Sequence, residues 1–461
     1  MERAGQQPCR GQHLRPSPKY APCGVVRVVP PSETIARVLP LCEKIGVTRV
    51  ADVTGLDRVG VPNFTTVRPR EAVPGISYYN GKGLTASAAK AGALMEAVER
   101  HCAERCDLPV IRGTRDEIGE YGAAVDPRQL VAPLARAYDQ RTTLEWVEGY
   151  DLMSDQPMFV PLDAVVCPYT PADPAARVYY SHTNGLASGN TIEEAICHAI
   201  CEVVERDGLS IADTVDKLAP AVGQICAGGE NPRNRKFAPA TLGRRVALET
   251  LPPIARGVVT KMEQAGLRVS LRDISAAVGV ATLECTCIEE GAGVGHVAHG
   301  GCGSHPDARV AVSRALTEAA QSRLAHIQGG REDLVDIISE PLPSHPKEAV
   351  ERGDFYSFAT VPTVENANID DDIRYLLDRL ADAKFEHVVV VELTRAELGV
   401  PVVRVVIPKA ETWTLFCHHG ASAKLGERAN QALSDAVGDW FSSGKRSKSP
   451  EAFQPIRTSV R

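Results

Sequence analysis

The sequence predicts an α+β protein in which repeated long helices pack on mixed or antiparallel sheets. Three alanine-rich helical stretches, near residues 80–104, 183–213 and 303–327, align with one another. Short Val-, Ile- and Thr-rich runs between them read as strands. A chain of 461 residues with 44% hydrophobic and 24% charged residues has a globular composition and fits two or three domains, or one large intertwined unit.

The elements follow in order. Residues 1–22 carry Arg3, Arg10, Arg15 and Lys19 without an apolar stretch, which predicts a disordered extension rather than a secretory signal. Pro31-Ser32-Glu33-Thr34 is a helix start, and Ile35, Val38 and Leu39 continue it. Val47–Val53 reads as a strand, Gly55–Pro74 as loop or strand, and Tyr78–Gly83 as a turn opening a helix that ends near Glu104. Leu144–Val166 alternates like paired strands. A second long helix spans about Thr191–Asp213, and Gln224–Pro239 reads as an exposed loop. Ile254–Ala265 is helical, Leu267–Asp273 and Gly279–Glu289 are strands, and a third long helix runs to about Ile327. A helix from Ile369 precedes strands at Val388–Leu393 and Val402–Ile407. The domain is expected over 23–440, with a polar tail over 441–461.

Composition narrows function. A net charge of -7 and 5% aromatics argue against nucleic acid and anionic membrane as partners. No run approaches the roughly 20 apolar residues of a membrane span. Thirteen cysteines, an odd count without a Cys-x-x-Cys pair, fit a reducing cytoplasm better than a disulfide framework.

The repeat carries the chemistry. Aligned on Glu96, Glu202 and Glu318, the helices place Ala93, Ala199 and Ala315 three residues earlier, and Glu99, Glu205 and Gln321 three residues later. Arg100 and Arg206 follow at four, while Arg323 follows at five. Alanines at i and i+4 give a face that another backbone can approach closely. Glutamates at i and i+3 share a face one turn apart and repel. Four carboxylates on helices this apolar require cations, and oxygen-only ligands suit magnesium. The alternative is a set of helical ion pairs, Glu96 with Arg100 and Glu202 with Arg206. The glycines of Gly81-Lys82-Gly83 and Gly185–Gly189 would let backbone N–H groups approach phosphate, with Lys82 adding charge. Neither stretch is a Walker A or Gly-x-Gly-x-x-Gly motif.

Three stretches, NGKGLTASAAKAGALMEAVER at Asn80–Arg100, TNGLASGNTIEEAICHAICEVVER at Thr183–Arg206 and GSHPDARVAVSRALTEAAQSR at Gly303–Arg323, resemble the YcaO family. The resemblance spans roughly Arg27–Glu411 and implies the YcaO-type ATP-binding fold with ATP and Mg2+ as cofactors. It implies magnesium on Glu96, Glu99, Glu202 and Glu205, with Glu194 joining them or touching ATP. Nucleotide contacts would come from Arg27, Thr34, Lys82, Asn190, Arg206, Arg314 and Glu318. Arg206, Gln321 and Arg323 would serve catalysis at the transferring phosphoryl group. Gly92 stands where the family commonly has Ser, Thr183 where it often has Ser, and Arg27 where some members have Lys.

The family activates backbone amides: a nucleophile adds to the carbonyl and the oxyanion takes the γ-phosphoryl group. Thr48–Pro62 resembles the segment of members paired with TfuA proteins, which install thioamides. The resemblance therefore implies thioamide formation on a peptide or protein with a TfuA-like partner, and a homodimer is common in the family. Azoline formation on Cys, Ser or Thr, an accessory role in ribosomal-protein methylthiolation, and a scaffold that has lost catalysis are the alternatives. The single proline in the last nine residues, Phe453–Arg461, departs from the proline-rich tail of azoline-forming members. Cys302 and Cys417-His418-His419 are candidates for sulfur relay.

Overall fold

A computed structural model describes residues 13–21, 24, 26–69, 76–104, 107–131, 138–171, 177–226, 243–291, 295–330, 354–415 and 425–443. In chain order, α1 is Pro31–Val38, β1 Arg49–Asp52, β2 Asn63–Val67, β3 Tyr78–Lys82, α2 Ala86–Ala103, β4 Val110–Gly113 and α3 Arg115–Gly119. Then come β5 Leu144–Asp151, β6 Gln156–Pro161, β7 Leu186–Ser188, α4 Ile192–Asp213, α5 Ala219–Cys226, β8 Arg244–Val246 and α6 Pro253–Gln264. The chain continues with β9 Leu267–Asp273, β10 Thr282–Gly291, β11 Gly295–Ser304, α7 Ala308–Gln328 and β12 Phe355–Tyr356. Last are α8 Ile369–Asp382, β13 Val389–Glu392, β14 Val402–Val406 and α9 Glu427–Ser443.

The strands form three sheets, ordered β1-β2-β3, β11-β10-β9-β8-β12 and β4-β5-β13-β14-β7, with β6 added on β5. All pairings are antiparallel except β12 with β8, so the expected α+β class with mixed and antiparallel sheets is what folds.

The valine runs show why α2 and α4 lie on opposite faces of the six-stranded sheet. In β13 and β14, Val389, Val391, Val402 and Val406 join Leu94, Met95 and Val98 of α2. Val390, Val403 and Val405 join Ile196, Ile200, Val203 and Val204 of α4, with Ile373, Leu376 and Leu377 of α8 behind them. Side chains alternate along a strand, so an apolar run serves two helices. Each of these buried aliphatic side chains stabilises the fold by roughly 1.5–3 kcal/mol. The five-stranded sheet packs Leu271, Leu283 and Cys285 against α6 and α7.

The three long helices belong to strand–helix units. α2 follows β3, α4 follows β7 and α7 follows β11. A Cβ on Gly81 would overlap the Ala89 carbonyl and the Ala93 amide. A Cβ on Gly189 would stand 2.9 Å from the Glu194 Cβ, and one on Gly303 2.7 Å from the Arg314 Cβ. The alanine faces thus do admit a close backbone, and that backbone is the preceding strand. Tyr78–Lys82 is therefore a strand rather than the expected turn. Gly81, Gly83 and Gly189 lie against the helix that follows each of them. Each helix is capped at the same offset from its glutamate: Thr85, Thr191 and Asp307 accept the amides of Ala88, Glu194 and Arg309.

Residues 13–21 depart from the expected disordered extension. The Ser17 amide donates to Asp370 Oδ1 (2.9 Å), Pro18 bridges Asn368, and Leu14 is buried. Lys19 is drawn in because Asp372, 1% exposed, needs a cation: the two lie 2.7 Å apart. At the other end α9 runs to Ser443, past the expected boundary at 440, and the tail from 444 lies outside the described residues. Of the expected loop Gln224–Pro239, Gln224–Cys226 closes α5 and the rest lies outside them.

Candidate active site

The polar faces of α2, α4 and α7 converge. Glu99 of α2 accepts the Ser188 amide (3.0 Å) at the end of β7. Burial first, then Glu202 and Glu96, push its carboxyl well above the usual range. Glu202 has no ion-pair partner among the described residues, and burial, with Glu205 adding to it, raises its carboxyl to about 7. Glu205, 2% exposed, is raised by burial and then by Glu318, against the pull of Arg206. Its Oε1 lies 3.4 Å from Arg206, while its Oε2 is buried without a partner among the described residues. Of the two helical ion pairs considered, Glu96 with Arg100 forms at 3.8 Å; Arg206 turns instead to Glu205 and, at 3.9 Å, to Glu318.

Basic groups face these carboxylates. Lys82, at the end of β3, pairs with Glu318 of α7. Burial works to raise Glu318, but Lys82 and Arg206 outweigh it and hold the carboxyl down to about 2. Arg314 lies one turn before Glu318 and contacts His198 Nε2 at 3.0 Å. The Nε groups of Arg100, Arg206 and Arg314 are buried without partners among the described residues.

A second group sits at the N-terminus of α4. Thr34 Oγ1 donates to Asn190 Oδ1 (3.0 Å), and Asn190 Nδ2 donates to Glu194 Oε1 (2.8 Å). Glu194 also accepts the Val28 amide (3.2 Å), with Arg27 at 3.6 Å. His198, one turn along α4, connects the groups: burial, then Arg314, Arg27 and Lys82, keep its ring neutral.

The structure thus brings together Glu96, Glu99, Glu202, Glu205, Lys82, Arg206, Arg314 and Glu318, and sets Arg27, Thr34, Asn190 and Glu194 beside the start of α4. Gln321 is half-buried one turn beyond Glu318. Arg323 is not with them. Its Nε donates to Asp57 Oδ2 (3.1 Å) and its Nη1 pairs with Glu289, so it ties the β1–β2 segment to β10. Five residues on from Glu318 is roughly 140° around a helix of 3.6 residues per turn, which turns Arg323 away from the carboxylates. Arg58 of the same segment also reaches Glu289 (2.5 Å).

Two residues escaped sequence reasoning. His198 carried no motif. Arg404 did carry a signal: it is a lone charge inside the apolar run of β14. It is 2% exposed, donates to the His182 carbonyl (2.8 Å), and is pulled down to about 10 by burial, with Glu202 and Glu99 acting to raise it. Cys302 is buried, and burial, then Glu205 and Glu284, push its thiol well up, away from the reactive thiolate. Cys417-His418-His419 lies outside the described residues.

The donor chemistry fits the expected cofactors. Oxygen-only carboxylates with an unpartnered Glu205 Oε2 suit magnesium, and unpartnered Arg206 and Arg314 Nε groups suit phosphate oxygens. Cys197, His305 and Asp372 also approach within 4.8 Å of one another. There the Lys19 ammonium already supplies the cation, and His305 Nδ1 accepts the Asp307 amide (3.0 Å), which leaves the ring proton on Nε2.

A fold of three strand–helix units that sets carboxylates opposite basic groups suits an ATP- and Mg2+-binding protein, which is the class the family comparison gives. The chain belongs to the YcaO family: the family model "YcaO cyclodehydratase, ATP- and Mg2+-binding" matches residues 80–411. It is 34% identical over 402 residues to an uncharacterized protein of Methanothermobacter thermautotrophicus, covering 84% of this chain and 96% of that one. It is 31% identical over 422 residues to an uncharacterized protein in the tfuA 3′ region of Rhizobium leguminosarum bv. trifolii, covering 89% and 93%. The YcaO structure from Methanopyrus kandleri bound with AMPPCP and Mg2+ superimposes with a TM-score of 0.65 at 27% identity, covering 87% of this chain and 95% of that one. A heterocyclase in complex with substrate and cofactor has a TM-score of 0.71 at 21% identity; the match covers 87% of this chain and 54% of that longer one. No helix among the described residues is long and apolar enough to cross a membrane.

Proposed function

We propose that this protein activates a backbone amide of a peptide or protein by ATP-dependent phosphorylation of the amide oxygen, and that sulfide is the nucleophile, giving a thioamide with a TfuA-like partner. The observation that carries the activation step is the cluster of Glu96, Glu99, Glu202 and Glu205 around the unpartnered Glu205 Oε2, faced by Lys82, Arg206 and Arg314. The thioamide product is supported by the Thr48–Pro62 segment and by the relative from the tfuA 3′ region.

When bound, ATP supplies the phosphoryl group that makes the amide oxygen a leaving group, and Mg2+ screens its charge. The four helix glutamates would hold the metal. Lys82 and Arg206 are tethered by Glu318, so their positive charge is set in place before phosphate arrives rather than recruited afterwards. Arg314 would take the phosphate side opposite His198. At the start of α4, Thr34, Asn190 and Glu194 would orient the nucleoside end, with Arg27 close to Glu194. Gln321 remains a candidate at the transferring group, whereas Arg323 acts in holding the fold.

The test combines the chain, a TfuA-like protein, ATP, Mg2+, sulfide and candidate peptides, read by mass spectrometry. Replacement of one oxygen by one sulfur is expected; loss of water instead would move the reading to azoline formation, which the heterocyclase likeness keeps as the second reading. Glu202→Ala and Glu205→Ala are expected to abolish Mg2+-dependent ATP turnover with the fold intact. Normal turnover in both would overturn the metal assignment.

A further inference from the structure

β11 is an edge strand: the order β11-β10-β9-β8-β12 leaves it bonded to β10 alone. The Cys302 amide donates to Glu318 Oε1 (3.4 Å), so it points away from β10. Successive residues of a strand point their N–H and C=O groups to opposite sides, so Ala298 and Gly300 present theirs outward as well. No described residue pairs with the backbone of Ala298 or Gly300 on that side. Val297 and Gly300 are exposed, and a Cβ at Gly300 would meet nothing within 4 Å. Between them His299 is buried against His326 of α7, with ring centroids 5.3 Å apart, which holds the strand in place.

Exposed edges invite pairing with another chain, and proteins blunt them with charge, proline or short length. β12 has two residues and β7 three, and β1 carries Arg49 and Asp52. β11 has ten residues, Gly295–Ser304, and no Lys, Arg, Asp, Glu or Pro among them. It offers outward N–H and C=O groups in alternation, the pattern that recognises an extended polypeptide backbone whatever its side chains. The edge leads into the candidate active site through a direct hydrogen bond. Glu318, which the Cys302 amide meets, also holds Lys82 and Arg206. At about 3.4 Å per residue the run from Val297 to Cys302 spans ~17 Å, the reach of about five extended residues.

We propose that the free edge of β11 docks an extended segment of the substrate polypeptide as an added strand. The segment pairs with Ala298 and Gly300 and leaves the edge at Cys302, which brings the backbone beyond it to Glu318. The inference rests on the amide-activating reading above and names where the polypeptide lies. Recognition through main-chain groups suits an enzyme whose target is itself a main-chain amide, because it fixes the path of the backbone without selecting side chains. The absence of a side chain at Gly300 leaves that path open.

The probe is an N-acetylated, C-amidated peptide of alternating valine and threonine, which favours an extended backbone. It is titrated into the full chain with Mg–AMPPCP while hydrogen–deuterium exchange of the β11 amides is followed. Saturable slowing of exchange in β11 is expected. Gly300→Pro removes one outward donor and keeps the ladder to β10, so it should weaken binding about threefold to tenfold, the scale of one hydrogen bond. Gly300→Ala keeps the donor and has room for its methyl group, so it should bind as the wild type does, and Mg–AMPPCP affinity should be unchanged in both. Ala298→Pro removes the neighbouring outward donor and repeats the test should Gly300→Pro not fold. Absence of saturable protection in wild-type β11, or equal binding by the proline and alanine variants, overturns the docking site. Protection of β11 before the probe is added, in a dimer that Gly300→Pro dissociates, assigns the edge to a second copy and overturns it too. If Mg–AMPPCP binds normally and the probe does not, the docking site alone fails. If the probe binds with these dependences and Mg–AMPPCP does not, the docking site stands and the ATP-dependent reading fails.

Discussion

Replacing Arg323 with methionine separates a structural arginine from a catalytic one. Arg323 is 5% exposed and holds two carboxylates, Asp57 and Glu289. Asp57, with its side chain 4% exposed, would lose its cation in a place water does not reach. Removing one member of a buried pair costs about 3–5 kcal/mol, mostly the desolvation of the group left behind. Glu289 is more exposed and keeps Arg58 at 2.5 Å, so solvent and that arginine would absorb most of its loss. The low end, about 3 kcal/mol, is therefore expected. Equilibrium urea unfolding gives the stability change, and calorimetric titration of the folded variant gives its Mg–AMPPCP affinity. The expected result is a large stability loss with the affinity unchanged. Adding Asp57→Asn to Arg323→Met should recover part of the loss, because the buried charge is then gone. A stability loss under about 1 kcal/mol together with a tenfold or greater loss of nucleotide affinity would refute the structural role and return Arg323 to the active site.

Gly81→Ala should destabilise the fold by about 1–3 kcal/mol and weaken Mg–AMPPCP binding, because the new methyl group pushes β3, and with it Lys82, off α2; wild-type values for both would show that β3 tolerates the methyl. Cys302→Ala should keep sulfur incorporation within about threefold, since a buried, protonated thiol is a poor nucleophile; complete loss in mass spectrometry would make Cys302 the relay. His387 is raised first by its hydrogen bond from Nδ1 to Asp151 (2.9 Å). A raised folded value means its stabilisation is complete below the unfolded value of about 6.5 and fades as pH rises through the folded one. His387→Gln should remove that part of the pH dependence of urea unfolding, and an unchanged profile would exclude the pair as its source.

The helices were legible because two independent patterns, alanines at close-packing intervals and glutamates one turn apart, repeat in register. β11 was not. Its sequence, Gly295-His296-Val297-Ala298-His299-Gly300-Gly301-Cys302-Gly303-Ser304, has the composition of a loop. Gly301 and Gly303 are required there because a Cβ at either would strike the α7 backbone. The carboxylate cluster could be read from spacing, because i and i+3 define a face. Partner choice could not: Arg206 could reach Glu202 by helical spacing, yet turns to Glu205 and to Glu318 on α7. Arg323 was read by motif position, although its offset of five already placed it off that face. Arg404 shows the converse, since a charge within a valine run had no assigned place until β14 was seen beside α2.

The strap formed by residues 13–20 bears on where the protein can be trimmed. The Arg15 amide donates to Glu193 Oε1 (3.1 Å), the neighbour of Glu194, and Lys19 neutralises Asp372. A chain shortened to begin at residue 23, where hydropathy and charge would start the domain, would leave Asp372 buried beside His305 with no lysine. It would also remove the hydrogen bond from the Tyr20 amide to the Arg27 carbonyl (3.0 Å). Weak nucleotide binding by such a shortened protein would then report the missing strap, not a defective family member, and an affinity tag is better placed away from that end.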